Sequence, residues 1–181
     1  MRFFVPLISS FLVASLALAN LQTLQGDITS IGRSLTALDN VVNVLPSGAP
    51  GIPVALQVQV HSVTLANQLK LAAQHANSTN ALNLTDSLSL GVGLIALLPG
   101  ITGTLSDVAE KNTTFAGLGI IVLSSLVQLK GDTEAFSDQL VAKLDPLIQA
   151  VSPLVVNTII DAFDNAIAAF RSNGEHSLPV F

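Results

Sequence analysis

Residues 115–170 are predicted to form two long helices with a wide apolar face, and this feature most limits how the chain can fold. The segment carries few charges and no catalytic group, and its only aromatic side chains are those of Phe115, Phe136, Phe163 and Phe170. Apolar surface on this scale is removed from water in a stable protein. Either the chain covers the face with its own helices, or part of the face is kept for an apolar ligand or surface.

Apolar residues that recur in steps of three and four predict helices along the remainder of the chain. The five predicted helices cover about 21–45, 53–76, 86–111, 116–144 and 147–171. Pro, Gly and Asn clusters separate them, because these residues interrupt helices and favour turns. One segment is ambiguous, since a period of two, typical of a strand, relates Val54, Leu56, Val58 and Val60. The apolar spacing continues to Leu71, and this favours a helix.

The predicted fold is all-α, an up-and-down bundle of about five long helices over residues 20–171. Short connections favour antiparallel packing of consecutive helices. Pro99-Gly100 predicts a bend in the third helix.

The two ends of the chain have different predicted roles. Residues 1–19 have one basic residue, an apolar run and the small-x-small end Ala17-Leu18-Ala19, which predicts a secretory signal peptide cleaved after Ala19. Residues 172–181 are predicted to be a flexible tail, and they lack the apolar segment of a GPI signal. We therefore expect a secreted, extracellular protein. The chain has no cysteine, so packing must supply the stability that secreted proteins often take from disulfides.

The charge distribution excludes several classes of partner. Removal of Arg2 with the signal peptide leaves six Lys and Arg against twelve Asp and Glu. This acidic balance excludes nucleic acid, which is bound by basic patches, and anchoring on anionic lipid. Charge-free runs occur at 40–69 (apart from His61), 87–106, 112–129 and 146–160, and the run 87–106 is about long enough to span a bilayer. Gly and Pro interrupt these runs, so we expect no integral membrane segment after signal removal.

Three sequons predict N-glycosylation on the surface of the protein. They begin at Asn77, Asn83 and Asn112, and each has Ser or Thr two positions later.

The sequence contains no recognisable catalytic, cofactor or metal motif. The three histidines are scattered, no G-x-S-x-G occurs, and the carboxylate pairs Asp107/Glu110, Glu134/Asp138 and Asp161/Asp164 fit solvated helix faces. We therefore predict that the protein is not an enzyme and uses neither a cofactor nor a metal.

The abundance of small and medium apolar side chains predicts an elongated apolar cavity between the helices, able to hold an acyl chain. Plain core packing is the alternative for most of these positions. The predicted lining residues are Leu35, Leu38, Val42, Ile95, Leu98, Val122, Leu126, Phe136, Val155, Ile159 and Phe163. Ser124, Ser125 and Gln128 stand among apolar neighbours and are candidates for contact with a lipid headgroup, although a hydroxyl can instead bond to its own helix.

Three segments carry a resemblance to a known family: LQGDITSIGRSLTALDNVV at 24–42, GLGIIVLSSLVQLKGDTEAFSDQLVAKL at 117–144 and DAFDNAIAAF at 161–170. With them the chain resembles the fungal hydrophobic surface-binding protein A family, which includes antigenic cell-wall galactomannoproteins. The resemblance implies an all-helical, non-enzymatic protein that is secreted or held in the cell wall. It also implies adsorption to hydrophobic surfaces or binding of fatty acids, and it offers a secreted hydrolase as a further candidate partner. The chain lacks a Ser/Thr-rich stalk, which argues against permanent wall attachment.

Two functional hypotheses follow. In the first, the protein binds a fatty acid or another amphiphile in an internal cavity. In the second, apolar helix faces adsorb to a hydrophobic solid or interface. The alternative to both is a structural cell-wall glycoprotein or antigen without a specific ligand.

Overall fold

The computed structural model describes residues 6–47 and 51–175, and within them the chain forms five α-helices and no strand. The helices are α1 (Pro6–Asn43), α2 (Ile52–Ser78), α3 (Leu84–Glu110), α4 (Gly119–Val141) and α5 (Pro146–Glu175). A short 3₁₀ helix, Ala116–Leu118, precedes α4. The predicted all-α fold is confirmed.

The ambiguous segment at the start of α2 is helical because burial follows the helical period. Ala55 and Val58 are buried, whereas Leu56 and Val60 are 50% and 63% exposed. The buried positions then continue in steps of three and four to Ala76. Neighbouring helices therefore override the local strand pattern.

Two predicted helix ends differ from the structure. The fourth helix ends at Val141 instead of 144, and residues 142–144 form a turn that leads to α5. Helix α5 continues through Glu175, so Ser172-Asn173-Gly174 does not stop it. A glycine within a helix costs only about 1 kcal/mol relative to alanine, which is too little to end a helix by itself. The rest of the predicted tail, 176–181, lies outside the described residues. Helix α1 begins at Pro6 and includes part of the predicted signal peptide, whose cleavage stays a prediction.

The five helices pack as a ring in the order α1–α2–α4–α5–α3. Only two pairs of consecutive helices, α1/α2 and α4/α5, are ring neighbours, so the expectation of antiparallel packing between consecutive helices holds for these pairs alone. The connection from α2 to α3 has five residues, 79–83. Such a loop spans roughly 16–18 Å when extended, which is enough to pass over one intervening helix.

Direction alternates along the chain, and ring neighbours can therefore be parallel. Gly32 and Asp39 on α1 meet Leu97 and Thr104 on α3, each 65 positions later. Between α3 and α5, Ser87 accepts a hydrogen bond from the backbone N–H of Asp145 at 2.8 Å. Helices α1, α3 and α5 thus form one parallel layer, and α2 and α4 run opposite to it.

Candidate functional site

A central cavity of ≈ 70 Å³ lies inside the ring, and all five helices line it. Burial of each helix's apolar stripe places these side chains toward the middle. The lining comprises Ile31, Leu35 and Leu38 of α1, Leu65 and Leu69 of α2, Leu94, Leu97, Ile101, Thr104, Leu105 and Val108 of α3, Leu129, Thr133, Phe136 and Ser137 of α4, and Ile159 and Phe163 of α5.

Three polar side chains interrupt this apolar lining, and two of them have partners within the protein. The Thr104 hydroxyl donates to Oδ1 of Asp39 at 3.1 Å, and the Thr133 hydroxyl donates to the carbonyl of Leu129 at 2.7 Å. Within the described ranges, the Ser137 hydroxyl makes no hydrogen bond and no charged side chain lines the cavity. Ser137 is therefore the polar group available to a ligand.

A side cavity of ≈ 100 Å³ lies among α3, α4 and α5. It shares four lining residues with the central cavity: Leu94, Phe136, Ser137 and Ile159. Two further lining residues, Ile95 and Val151, are 56% and 52% exposed. The side cavity therefore reaches the protein surface between α3 and α5 and ends inside against the wall of the central cavity.

The surface around this opening is apolar and without charge. Because α3 and α5 run parallel, their charge-free segments 87–106 and 146–160 lie side by side. Exposed large apolar residues follow helical steps along both segments. We call this surface the α3/α5 face: Leu84, Leu88, Val92 and Ile95 of α3 with Leu147, Val151 and Leu154 of α5.

The same two helices, Leu84–Glu110 and Pro146–Ser172, are long and apolar enough to cross a membrane by length and composition. A core helix of a soluble protein also passes this test, but such a helix is mostly buried. Here only 17% and 11% of the two apolar windows are buried, so neither helix is mostly buried, and part of the apolar surface of each is exposed. A contiguous exposed apolar surface marks an interaction site with a protein, a lipid or an interface. The prediction that neither helix spans a membrane stays a prediction.

The structure brings together some of the predicted lining residues and separates others. Leu35, Leu38 and Phe163 line the central cavity, Ile95 and Val155 line the side cavity, and Phe136 and Ile159 line both. The remaining predicted residues line neither cavity: Val42, Val122 and Leu126 are buried in the core, and Leu98 packs against it partly buried.

The three predicted headgroup residues lie away from both cavities. Ser124 and Gln128 are exposed on α4. The Ser125 hydroxyl donates to Oε1 of Gln59 at 2.5 Å and so links α4 to α2, and its oxygen also lies 3.0 Å from the carbonyl of Ile121. Ser137 was missed, although its position four residues after Thr133 on the apolar seam placed it on the inner face.

The three sequons lie at or near helix ends. Asn77 is exposed in the last turn of α2, and Asn83 is exposed and caps α3, where its Oδ1 accepts from the N–H of Asp86 at 2.9 Å. Asn112 is half-buried, and its Nδ2 donates to the carbonyl of Ala169 at 3.0 Å. Glycosylation at the three sites stays a prediction.

Among residues 6–47 and 51–175, no group of three or more His, Cys, Asp or Glu side chains could hold a metal ion. The arrangement instead suits an apolar ligand, because the cavity walls offer dispersion contacts and few hydrogen bonds.

The comparison with known proteins agrees with this chemistry. Residues 21–142, more than half of the chain, match the family described as hydrophobic surface binding protein A. No curated protein sequence matches the chain.

Solved structures share the fold. The crystal structure of AfMP4p in complex with palmitic acid is 28% identical, with a TM-score of 0.78 over 83% of this chain and 99% of that chain. Ligand binding domain 1 of the Penicillium marneffei MP1 protein, complexed with arachidonic acids, is 18% identical, with a TM-score of 0.78 over 83% of this chain and 98% of that chain. Domain 2 of the same protein, complexed with multiple arachidonic acids, is 16% identical, with a TM-score of 0.73 over 84% and 95%. The latter two likenesses concern the fold alone.

Proposed function

Because this chain belongs to the hydrophobic surface binding protein A family, we propose that it is a secreted, non-catalytic protein that binds fatty-acid-like lipids between its helices. One observation carries the proposal: an apolar cavity is lined by all five helices of a fold that AfMP4p shares in its complex with palmitic acid.

Burial of an acyl chain alone can supply the affinity. Each methylene removed from water contributes about 0.8 kcal/mol. Ten buried methylenes would contribute roughly 8 kcal/mol, which corresponds to a Kd near 1 µM before the cost of immobilising the ligand is subtracted. A headgroup contact is therefore not required for binding.

The central cavity has to enlarge when it takes a chain. An apolar cavity of about 150 Å³ accommodates a ligand the size of benzene, and the central cavity measures ≈ 70 Å³. The side cavity adds ≈ 100 Å³ on the other side of Phe136 and its neighbours. The lipid complex proposed here therefore includes both cavities and some separation of the helices.

The headgroup should remain near the protein surface. No charged side chain among the described residues lines either cavity, and a buried carboxylate without a cation is strongly disfavoured. Ser137 offers one hydrogen bond between the cavities. We therefore propose that Ser137, and not Ser124, Ser125 or Gln128, is the polar side chain that a bound acyl chain passes, while the headgroup itself stays at the surface.

Native mass spectrometry of the purified protein tests the proposal, with displacement of a fluorescent fatty acid as a second measurement. Leu69→Phe fills the central cavity and should weaken binding. Leu24→Phe is its matched control, because Leu24 is buried in the core and lines neither cavity. The proposal is wrong if the native protein binds no fatty acid, or if both variants bind as tightly as the native protein.

Adsorption to hydrophobic surfaces is a second candidate function, and the α3/α5 face favours it. Exposed apolar side chains on this face have no cover among the described residues, and no charge lies within 87–106 or 146–160. Depletion of lipid-free protein from solution by polyester beads or at an oil interface measures this activity. The adsorption function is refuted if the beads leave the protein concentration in solution unchanged and the protein does not lower the interfacial tension of oil.

Secretion and a location in the cell wall are further parts of the proposal, supported by the predicted signal peptide and by the family. Secretion with cleavage after Ala19 predicts that the protein recovered from the culture medium has Asn20 as its N-terminal residue. Recruitment of a secreted hydrolase stays a candidate role. If the protein neither binds lipid nor adsorbs, a structural wall glycoprotein or antigen is the remaining function.

A further inference from the structure

We propose that an acyl chain reaches the central cavity through the gap between α3 and α5, with Phe136 as the movable partition between the side cavity and the centre. The inference rests on the proposed lipid binding, and it adds the route and the residues that control exchange.

The side cavity supplies most of the route. At its outer end stand Ile95 and Val151, both more than half exposed. At its inner end stand Leu94, Phe136, Ser137 and Ile159, which also line the central cavity. One layer of side chains therefore separates the side cavity from the central cavity. A chain that crosses this layer stays in contact with apolar atoms throughout.

The distribution of polar links makes the α3/α5 gap the one most able to widen. Among the described residues, side-chain hydrogen bonds or ion pairs link α3 to α5 only at the two ends of the interface. Near the start of both helices Ser87 accepts from Asp145, and near the end of both Asn112 donates to Ala169. Between them lie the apolar side cavity and a groove with polar lining residues, which make no hydrogen bond from α3 to α5 among the described residues. The apolar contacts tolerate sliding because they are not directional.

The other ring interfaces are tied within their length. The links there are Asp27–His75 between α1 and α2, Gln25–Ser89 and Asp39–Thr104 between α1 and α3, Gln59–Ser125 and Lys70–Asp132 between α2 and α4, and Lys130–Asp164 between α4 and α5. Opening at any of these interfaces breaks a hydrogen bond or an ion pair. Bowing of α3 away from α5 between its fixed ends breaks none of the links described.

Phe136 is the residue best placed to act as the partition. It is 5% exposed, lines both cavities and is the largest side chain that they share. Rotation of its ring would join the two spaces into one apolar channel. Phe163, by contrast, lines the central cavity alone.

The surface around the opening suits delivery from an apolar phase. The α3/α5 face surrounds the opening and would bring it against a lipid-rich surface. A chain could then pass inward without crossing bulk water, while its headgroup remains at the opening.

Stopped-flow exchange of cis-parinaric acid tests the route at the mouth. Val151→Trp narrows the opening and should slow both association and dissociation by about tenfold, while the equilibrium Kd changes much less. The matched control is Val127→Trp, which makes the same substitution on α4 at a position that is 47% exposed, lies outside the α3/α5 face and lines neither cavity. Its rates should equal those of the native protein.

A second pair of variants tests the partition. Phe136→Leu should speed both association and dissociation several-fold, about the effect of a barrier lowered by 1 kcal/mol. Phe163→Leu removes the same number of atoms from the wall of the central cavity alone, so it should change the equilibrium Kd without speeding association and dissociation together. A change in cavity size alone would alter Kd, whereas a change in the barrier moves the two rates together.

The results separate this inference from the function on which it rests. Normal equilibrium binding with native exchange rates in Val151→Trp and Phe136→Leu would overturn the route and leave lipid binding intact. Equal slowing by Val151→Trp and Val127→Trp would also overturn it. Failure of the native protein to bind cis-parinaric acid at equilibrium would overturn both.

Discussion

The imidazole Nδ1 of His75 on α2 lies 2.8 Å from Oδ2 of Asp27 on α1. Asp27 is only 8% exposed and stands beside the buried Leu24 and Ile28, so its carboxylate would be poorly solvated without this partner. The pair therefore joins the two helices of the first hairpin and fixes their relative position along the axis.

Asp27→Ala removes the partner of His75 and should destabilise the protein by about 1–3 kcal/mol. The reason is that the partly buried hydrogen bond is lost and the His75 imidazole is left without its partner. Urea unfolding followed by circular dichroism measures the change. In a double-mutant cycle, His75→Ala should cost little more once Asp27 has been removed. Additive effects would show that the two side chains do not interact.

Two glycines on α1 should respond in opposite ways to Ala. Gly26 has open space where a Cβ would be added, so Gly26→Ala should stabilise the helix by about 0.5–1 kcal/mol. At Gly32 an added Cβ would lie 2.8 Å from Cδ2 of Leu97, which lines the central cavity. Gly32→Ala should therefore gain less stability and weaken fatty-acid binding by displacing Leu97. Equal thermal shifts and equal affinities in the two variants would contradict this expectation.

Polar substitutions on the α3/α5 face should reduce adsorption without loss of stability. Leu88 and Leu154 are 49% and 74% exposed, so Leu88→Ser with Leu154→Ser should leave the unfolding midpoint nearly unchanged. The quantity to measure is protein depletion by polyester beads. Val60→Ser is the control, since Val60 is 63% exposed on α2, outside this face. Adsorption that falls equally in the control would mean that the α3/α5 face has no special role.

The ion pair between Lys130 and Asp164 predicts a stability effect at alkaline pH. The Nζ atom donates to Oδ1 of Asp164 at 2.6 Å, and this hydrogen bond holds the pKa of Lys130 above its ordinary value of 10.5. A raised pKa in the folded state means that the stabilisation is complete below pH 10.5 and is lost as the pH rises through the folded value. The difference in unfolding free energy between native protein and Lys130→Gln should be constant below this pH and shrink above it. A difference that grows with pH would reverse the sign predicted here.

Two substitutions of Asn83, the residue that caps α3, can distinguish its effect on stability from its role as a glycosylation site. Its Oδ1 accepts from the N–H of Asp86, so Asn83→Ala should cost about 1 kcal/mol and remove the sequon. Asn83→Ser also removes the sequon but can still cap the helix, so its stability should be close to native. Enzymatic deglycosylation of the native protein, followed by mass spectrometry, shows whether the site carries a glycan. Equal stability losses in both variants would contradict the capping role.

The fold class and the family were predictable because they depend on apolar spacing. The steps of three and four along α1 placed Leu35 and Leu38 inside, and the family is confirmed by the match over residues 21–142. The ring order was not predictable in the same way. Spacing determines which side of a helix is buried, but not which helix covers it, and a five-residue loop allows either a neighbouring or a crossed position.

The placement of Ser124 and Gln128 shows what local composition misses. Both stand in the charge-free run 112–129, where polarity alone does not distinguish the inner from the outer face. Ser124 lies two residues from Val122 and from Leu126, which is more than half a helical turn away from these buried positions. The seam that identified the core thus already placed Ser124 outward, and it placed Ser137 next to the cavity.

Helix α3 packs mainly against α1 and α5, and not against the helices that precede and follow it in the chain. Two local hairpins, α1/α2 and α4/α5, can therefore assemble early, whereas α3 must wait for partners more than fifty positions away. We therefore expect α3 to dock last, and its release leaves both hairpins intact. Amide hydrogen exchange should therefore be fastest in α3. Local opening of this one helix can admit a ligand while the other four helices stay folded.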